Sequence, residues 1–205
     1  MGRDHRLSHR RRDVRSLNKS RMDQDGIRRY VAGAFSGVDV QIASRENGAP
    51  EMAWGDTFFI FDPERNLPDS RRFPFATIVT QDYGDFDNAS NLNRDGVFRL
   101  NIGVSKESYR SLFPTDRAWD FTAVDQLMPH PVYAANHFAC VLNPSDSTFD
   151  SIKPLLEEAY GIAVKRSRRG LGRGYGGTPG GWRVRLGELE FVILNLTLGA
   201  NIRTI

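Results

Sequence analysis

One cysteine, Cys140, is all the thiol chemistry this 205-residue chain holds. An internal disulfide is therefore excluded, as are the Cys-x-x-Cys signatures of zinc ribbons and dithiol redox centres. No apolar run approaches the roughly 18 residues of a membrane-spanning helix. The basic N-terminus carries Leu7, Val14 and Leu17 too sparsely to form the apolar region of a signal peptide. Gly-x-Ser-x-Gly, His-Glu-x-x-His and Walker-type Gly-Lys-Ser/Thr motifs are all absent. These absences lead to the expectation of a cytoplasmic protein with no membrane association, no cofactor and no resident metal.

What is present is unevenly charged. The net charge of +3 and the pI near 9.2 suggest a nucleic-acid partner. The distribution opposes that reading, because residues 22–166 carry 14 Arg/Lys against 21 Asp/Glu. The basic excess lies in residues 1–21, with eight Arg/Lys, and in residues 167–205, with six. An acidic centre repels a phosphate backbone, so only the ends favour one.

Residues 1–21 have almost no apolar side chains and are expected to be a disordered basic leader. Met22 begins a natural first helix and is the expected true start. Residues 22–166 are expected to fold as a single domain. Ile27, Tyr30, Val31, Ala34 and Phe35 fall on one face of a helix that Gly37 ends. The segments 38–43, 56–63, 75–80, 97–104 and 136–143 are rich in β-branched and aromatic residues and read as strands. Ser105 caps a short helix, and Thr122-x-x-Asp125 reads as a capping box opening another. Ile152, Leu155, Leu156, Ala159, Tyr160 and Ala163 form the stripe of a last helix over roughly 147–166, with Pro154 as a point of bending. This order predicts an α+β fold: an antiparallel sheet with N- and C-terminal helices packed on one face. Residues 167–205 read as a Gly/Arg-rich linker followed by a β-prone tail.

The candidate chemistry is concentrated in 128–145, MPHPVYAANHFACVLNPS, which holds two of four histidines and the cysteine. Alternation places Cys140 among core side chains, where a free thiol behaves as a small hydrophobe. His130 and His137 are seven positions apart and match no helical metal-ligand spacing. In 97–104, Phe98, Leu100, Ile102 and Val104 alternate with Arg99, Asn101 and Gly103, giving one buried and one polar face. If both strands share a sheet, Arg99, Asn101 and His137 meet on its open face, with His130 in the adjoining turn. Arg and His together suit a small anionic ligand. Gly172–Gly177 spells Gly-x-Gly-x-x-Gly, but Thr178-Pro179-Gly180-Gly181 follows where a dinucleotide site needs a helix.

The blocks DTFFIFDPERNLPDSRRFPFATIVT, GVFRLNIGVSKESYRSLF, DFTAVDQLMPHPVYA and CVLNPSDSTFDSIKPLLEEAYGIAVKR, in this order, resemble the bacterial domain-of-unknown-function family 6194 across 22–166. That resemblance implies no activity. The second half also resembles the MmcQ/YjbR-like proteins, with FRLNIGV before a short helix and Tyr160 to Lys165 ending the last. This implies a CyaY-like fold, for which DNA binding has been suggested. The acidic centre and the carboxylates opening the last helix depart from that suggestion. The leading expectation is a non-catalytic binding module, taking a small anionic ligand or a protein partner at Arg99, Asn101, His130 and His137. The alternatives are a DNA/RNA-binding module and an enzyme using His130 or His137 with Asp120.

Overall fold

The first helix begins where Asp23 caps it, its carboxylate accepting from the Gly26 N–H at 2.6 Å. The structure, a computed structural model, describes residues 21–171 except 69–70 and 114–116. Helix α1 (Gln24–Ala34) ends at Phe35, and the chain reverses through Gly37 into β1 (Val38–Ile42). At Gly37 the backbone has φ +71°, and a Cβ there would lie 2.8 Å from the Pro63 side chain, so only glycine fits this reversal. The remaining elements are β2 (Thr57–Phe61), β3 (Pro74–Val79), β4 (Arg99–Gly103), α2 (Lys106–Leu112), β5 (Leu127–Pro129), β6 (Phe138–Leu142) and α3 (Asp146–Leu171).

The six strands form one sheet in the order β1-β2-β3-β4-β6-β5, and every neighbouring pair is antiparallel. The period-two alternation read from the sequence decides which side chains go where. Leu100, Ile102 and Val141 pack on one face against Ile27 and Val31 of α1 and Phe149, Ile152 and Leu156 of α3. Both terminal helices thus lie on the same face. The other face is closed too, by a second cluster in which Phe58, Ile60, Val79, Cys140 and Leu142 meet Tyr83, Leu92 and Met128. The open polar face expected from the sequence is therefore covered. Residues 80–98, which join β3 to β4, lie over it.

Two further readings change. No helix starts at Thr122. Its N–H and hydroxyl both bond to Asp120, at 2.9 and 2.6 Å, and this local turn competes successfully with a helix. The chain then runs beside β6, with the Asp125 N–H donating to the Leu142 carbonyl at 2.7 Å, and forms β5 instead. Helix α3 continues to Leu171, past the end of its apolar stripe and with Pro154 inside it. Residues 1–20 of the expected leader, the tail beyond 171 and the Gly172–Gly177 motif lie outside the described residues. Among the described residues, no helix is long and apolar enough to cross a membrane.

Candidate functional site

Register fixes the neighbours of β4's polar row. Arg99 stands opposite Leu142 and Asn101 opposite Cys140, so Cys140 rather than His137 shares their face. Arg99 is fully buried, and its side chain runs beneath the loop 80–98. There the loop makes a tight turn at Gly84, with the Tyr83 N–H donating to the Asp87 carbonyl and the Phe86 and Asp87 N–H groups to the Tyr83 carbonyl. Asp82 secures the loop's far end by accepting from the Leu92 N–H at 2.8 Å. These bonds aim Asp87 at the guanidinium.

The result is a fork. Arg99 Nη1 donates to Asp87 Oδ1 at 3.0 Å and to Ser90 Oγ at 2.9 Å, while Nη2 donates to Asp87 Oδ2 at 2.5 Å. Arg99 Nε donates to Asn101 Oδ1 at 2.9 Å, and Asn101 Nδ2 donates onward to Thr77 Oγ1 at 2.9 Å. Bidentate pairing of this kind is strong and geometrically specific.

His130 enters from the turn after β5, buried to 2% exposure. Its Nδ1 accepts from the Val132 and Tyr133 N–H groups, each at 3.1 Å, which places the proton on Nε2. Nε2 lies 4.0 Å from Asp87 Oδ2, beyond hydrogen-bond reach. Burial, reinforced by the Arg99 charge, holds the imidazole well below its ordinary pKa, so His130 is neutral. The Tyr133 ring lies tilted beside it, with ring centroids 4.9 Å apart. Among the described residues, the Tyr133 hydroxyl is the single buried side-chain polar atom without a hydrogen-bond partner.

The structure thus gathers Arg99, Asn101 and His130 and leaves His137 elsewhere. His137 closes the short 3-10 turn Ala134–Asn136 in a left-handed conformation, φ +62°, and the residues that alternate with it, Ala139 and Val141, stand opposite Ile102 and Leu100 on the other face of the sheet. Its ring packs edge-on against Tyr109 of α2 at 5.5 Å. Asp120 is exposed and tied to Thr122, and the carboxylate beside His130 is Asp87. The sequence reading overlooked Asp87, Ser90 and Tyr133. A signal did exist for the first two: residues 80–98 far exceed the roughly 4–6 residues typical of such connections, and long ordered loops are usually functional. A second acid lies nearby: fully buried Asp56 accepts from Thr80 and from the Tyr83 hydroxyl.

Cys140 is fully buried, and burial pushes its thiol up to about 12. Its Sγ contacts the Pro129 carbonyl at 3.6 Å. Such a thiol is not a nucleophile. Native protein is expected to resist iodoacetamide at neutral pH, and urea-unfolded protein to label fully; rapid native labelling would refute the inert assignment. Among the described residues, no three His, Cys, Asp or Glu side chains converge as a metal site.

Fold and cluster together define a small α+β domain, with helices on one sheet face and a loop-covered ion-pair network on the other. The chain belongs to the family of unknown function DUF6194, whose model matches residues 22–172. No curated protein and no solved structure matches it.

Proposed function

We propose that the domain is a non-catalytic binding module for a small, neutral, polar ligand, held where Tyr133 meets the Arg99–Asn101–His130 cluster. The observation that carries this reading is the buried Tyr133 hydroxyl without a partner. Leaving such a group unsatisfied costs about 1–3 kcal/mol, and a ligand offering it a hydrogen bond recovers that cost. Half-buried Thr77, Tyr133 and Phe138 contact the cluster, Thr77 through Asn101 and the two rings beside His130. The anionic ligand expected from the sequence fits less well. Asp87 neutralises Arg99 and occupies its fork, and His130 carries no charge, so the cluster offers no net positive field. His137 takes no part in this reading.

Melting temperature tests it directly. Neutral amides, polyols and nucleosides are screened beside carboxylates and phosphates of similar size. A ligand present at 100 times its Kd adds about 2.7 kcal/mol of stability. We expect shifts from neutral compounds with wild type and none with Tyr133→Phe, which itself folds normally. Shifts confined to anions, or surviving in Tyr133→Phe, would sink the proposal. We also read the architecture as CyaY-like, supported by the terminal helices on one face of an antiparallel sheet, and the protein as cytoplasmic, supported by its lone reduced thiol.

A further inference from the structure

The two margins of the sheet are finished differently. At one, β5 is three residues long and ends on Pro129, which has no N–H to offer. Short edge strands and proline keep a sheet from pairing with another chain. At the other margin β1 has neither device: it runs five residues with the sequence VDVQI. Among the described residues, no strand lies on its outer side. Its one charge, Asp39, turns into the sheet face, where Arg72 Nη2 donates to it at 2.6 Å. Its last side chain, Ile42, is 45% exposed.

Pairing with β2 fixes which backbone groups are left over. The Asp62 N–H donates to the Gly37 carbonyl at 2.9 Å and the Ala43 N–H to the Asp56 carbonyl at 2.8 Å, one bond at each end of β1. Antiparallel bonding repeats every second residue, so Asp39 and Gln41 bond to β2 between them. The N–H and C=O groups of Val38, Val40 and Ile42 therefore point away from the sheet. Of these, only the Ile42 carbonyl has a partner among the described residues, Asn47 Nδ2 at 2.7 Å, and a carbonyl accepts twice.

We propose that a second copy of this chain pairs with β1, antiparallel across a two-fold axis at Val40, and joins two sheets into one. Of the registers in which outward groups meet, one centred on Asp39 sets that carboxylate opposite its own copy, and like charges directly opposite are destabilising. One centred on Gln41 leaves Val38 beyond the end of the partner's β1. Centring on Val40 matches the whole strand: Val38 faces the partner's Ile42, Asp39 the partner's Gln41, and Val40 its own copy. Every outward N–H then meets an outward carbonyl. The exposed Ile42 gains an apolar neighbour. Asp39 gains an amide of the kind that Gln41 already offers it within one chain, at 3.0 Å. Such self-complementarity is what a closed two-fold contact requires. The contact lies at the opposite margin from β5 and is independent of the cluster around Tyr133.

Sedimentation equilibrium of the full-length chain, from about 1 to about 500 μM, tests this. One strand-to-strand junction is a small interface, so we expect a reversible dimer of twice 23.1 kDa with a Kd on the order of 10–100 μM. Ile42→Lys, at an exposed position, should melt as wild type does and leave only monomer, because an edge lysine opposes pairing. Val40→Pro removes the N–H at the axis without taking a bond from β2, and should also leave only monomer. Ile42→Lys keeps the test decisive should Val40→Pro not fold. Charge reports the register: Gln41→Lys should lower Kd and Gln41→Asp raise it, each by about 2- to 30-fold over the two symmetry-related pairs. A monomer throughout, as expected if the chain's own end covers β1, would overturn the proposal. So would a dimer that persists in Ile42→Lys, a Kd indifferent to both Gln41 variants, or growth beyond dimer with rising concentration.

Discussion

Arg99→Met is expected to destabilise the domain by about 3–5 kcal/mol, the cost of leaving a buried charge without its partner. Arg99 and Asp87 side chains are 1% and 3% exposed, so water cannot replace the guanidinium. The same substitution strips a donor from Ser90 and another from Asn101, and each orphaned acceptor adds its own desolvation penalty. The loss also propagates. Asp87 is the loop's anchor to β4, so residues 80–98, with Tyr83 and Leu92 from the second core, loosen with it. Urea unfolding of the single variants and of the double variant Arg99→Met, Asp87→Leu separates these contributions. Replacing a buried ion pair with apolar side chains is often close to neutral, so the double variant should recover at least about 2 kcal/mol over Arg99→Met. If it recovers nothing, the bonds to Ser90 and Asn101 dominate and the charge pair matters little. Arg99→Lys should fall between, because an ammonium cannot reproduce the fork.

How much of this was visible in the sequence differs by element. The two halves of β4 were legible: Leu100 and Ile102 lie in the helix-side core, and Arg99 and Asn101 face the other way, as strict alternation requires. That β4 and β6 share a sheet was only a condition of the reading, and the two strands do pair directly. The register was not legible. It places Cys140 opposite Asn101, and no local pattern encodes which residue of one strand faces which residue of another. The same register explains His137: the residues that alternate with it, Ala139 and Val141, stand opposite Ile102 and Leu100, on the face away from Arg99 and Asn101, and its ring packs against Tyr109. The cover over Arg99 was hidden for a different reason. Asp87 and Ser90 reach it through a turn held by backbone bonds around Tyr83, and such a turn has no period to detect. A polar row in a strand thus reads the same whether it meets water or a buried carboxylate.

Asp56 is expected to make the domain lose stability as pH rises from about 4 to about 7, by on the order of 4 kcal/mol. Burial raises its carboxyl from 3.8 to about 7, against the opposing hydrogen bonds from Tyr83 and Thr80 and the more distant Arg99 charge. Within that window the folded protein holds a proton that the unfolded chain has released, so each rise in pH favours unfolding. The stabilisation is complete below the unfolded pKa, is lost as pH climbs through the folded one, and changes no further above it. Asp56→Asn isolates this contribution. The amide oxygen still accepts from the Thr80 N–H, which lies 2.8 Å from Asp56 Oδ1, and the amide nitrogen can donate to the Tyr83 oxygen. Because every other titrating group is common to both proteins, the difference between their urea stabilities against pH belongs to Asp56 alone. That difference should be flat near pH ~4, grow in the variant's favour toward pH ~7 and level off beyond it. Parallel profiles would mean that water reaches Asp56 and that it ionises as an ordinary carboxylate. A rising difference would mean that the loop 80–98 keeps water from the Asp56–Tyr83 pair as closely as it does from Arg99 and Asp87, one seal over both buried acids.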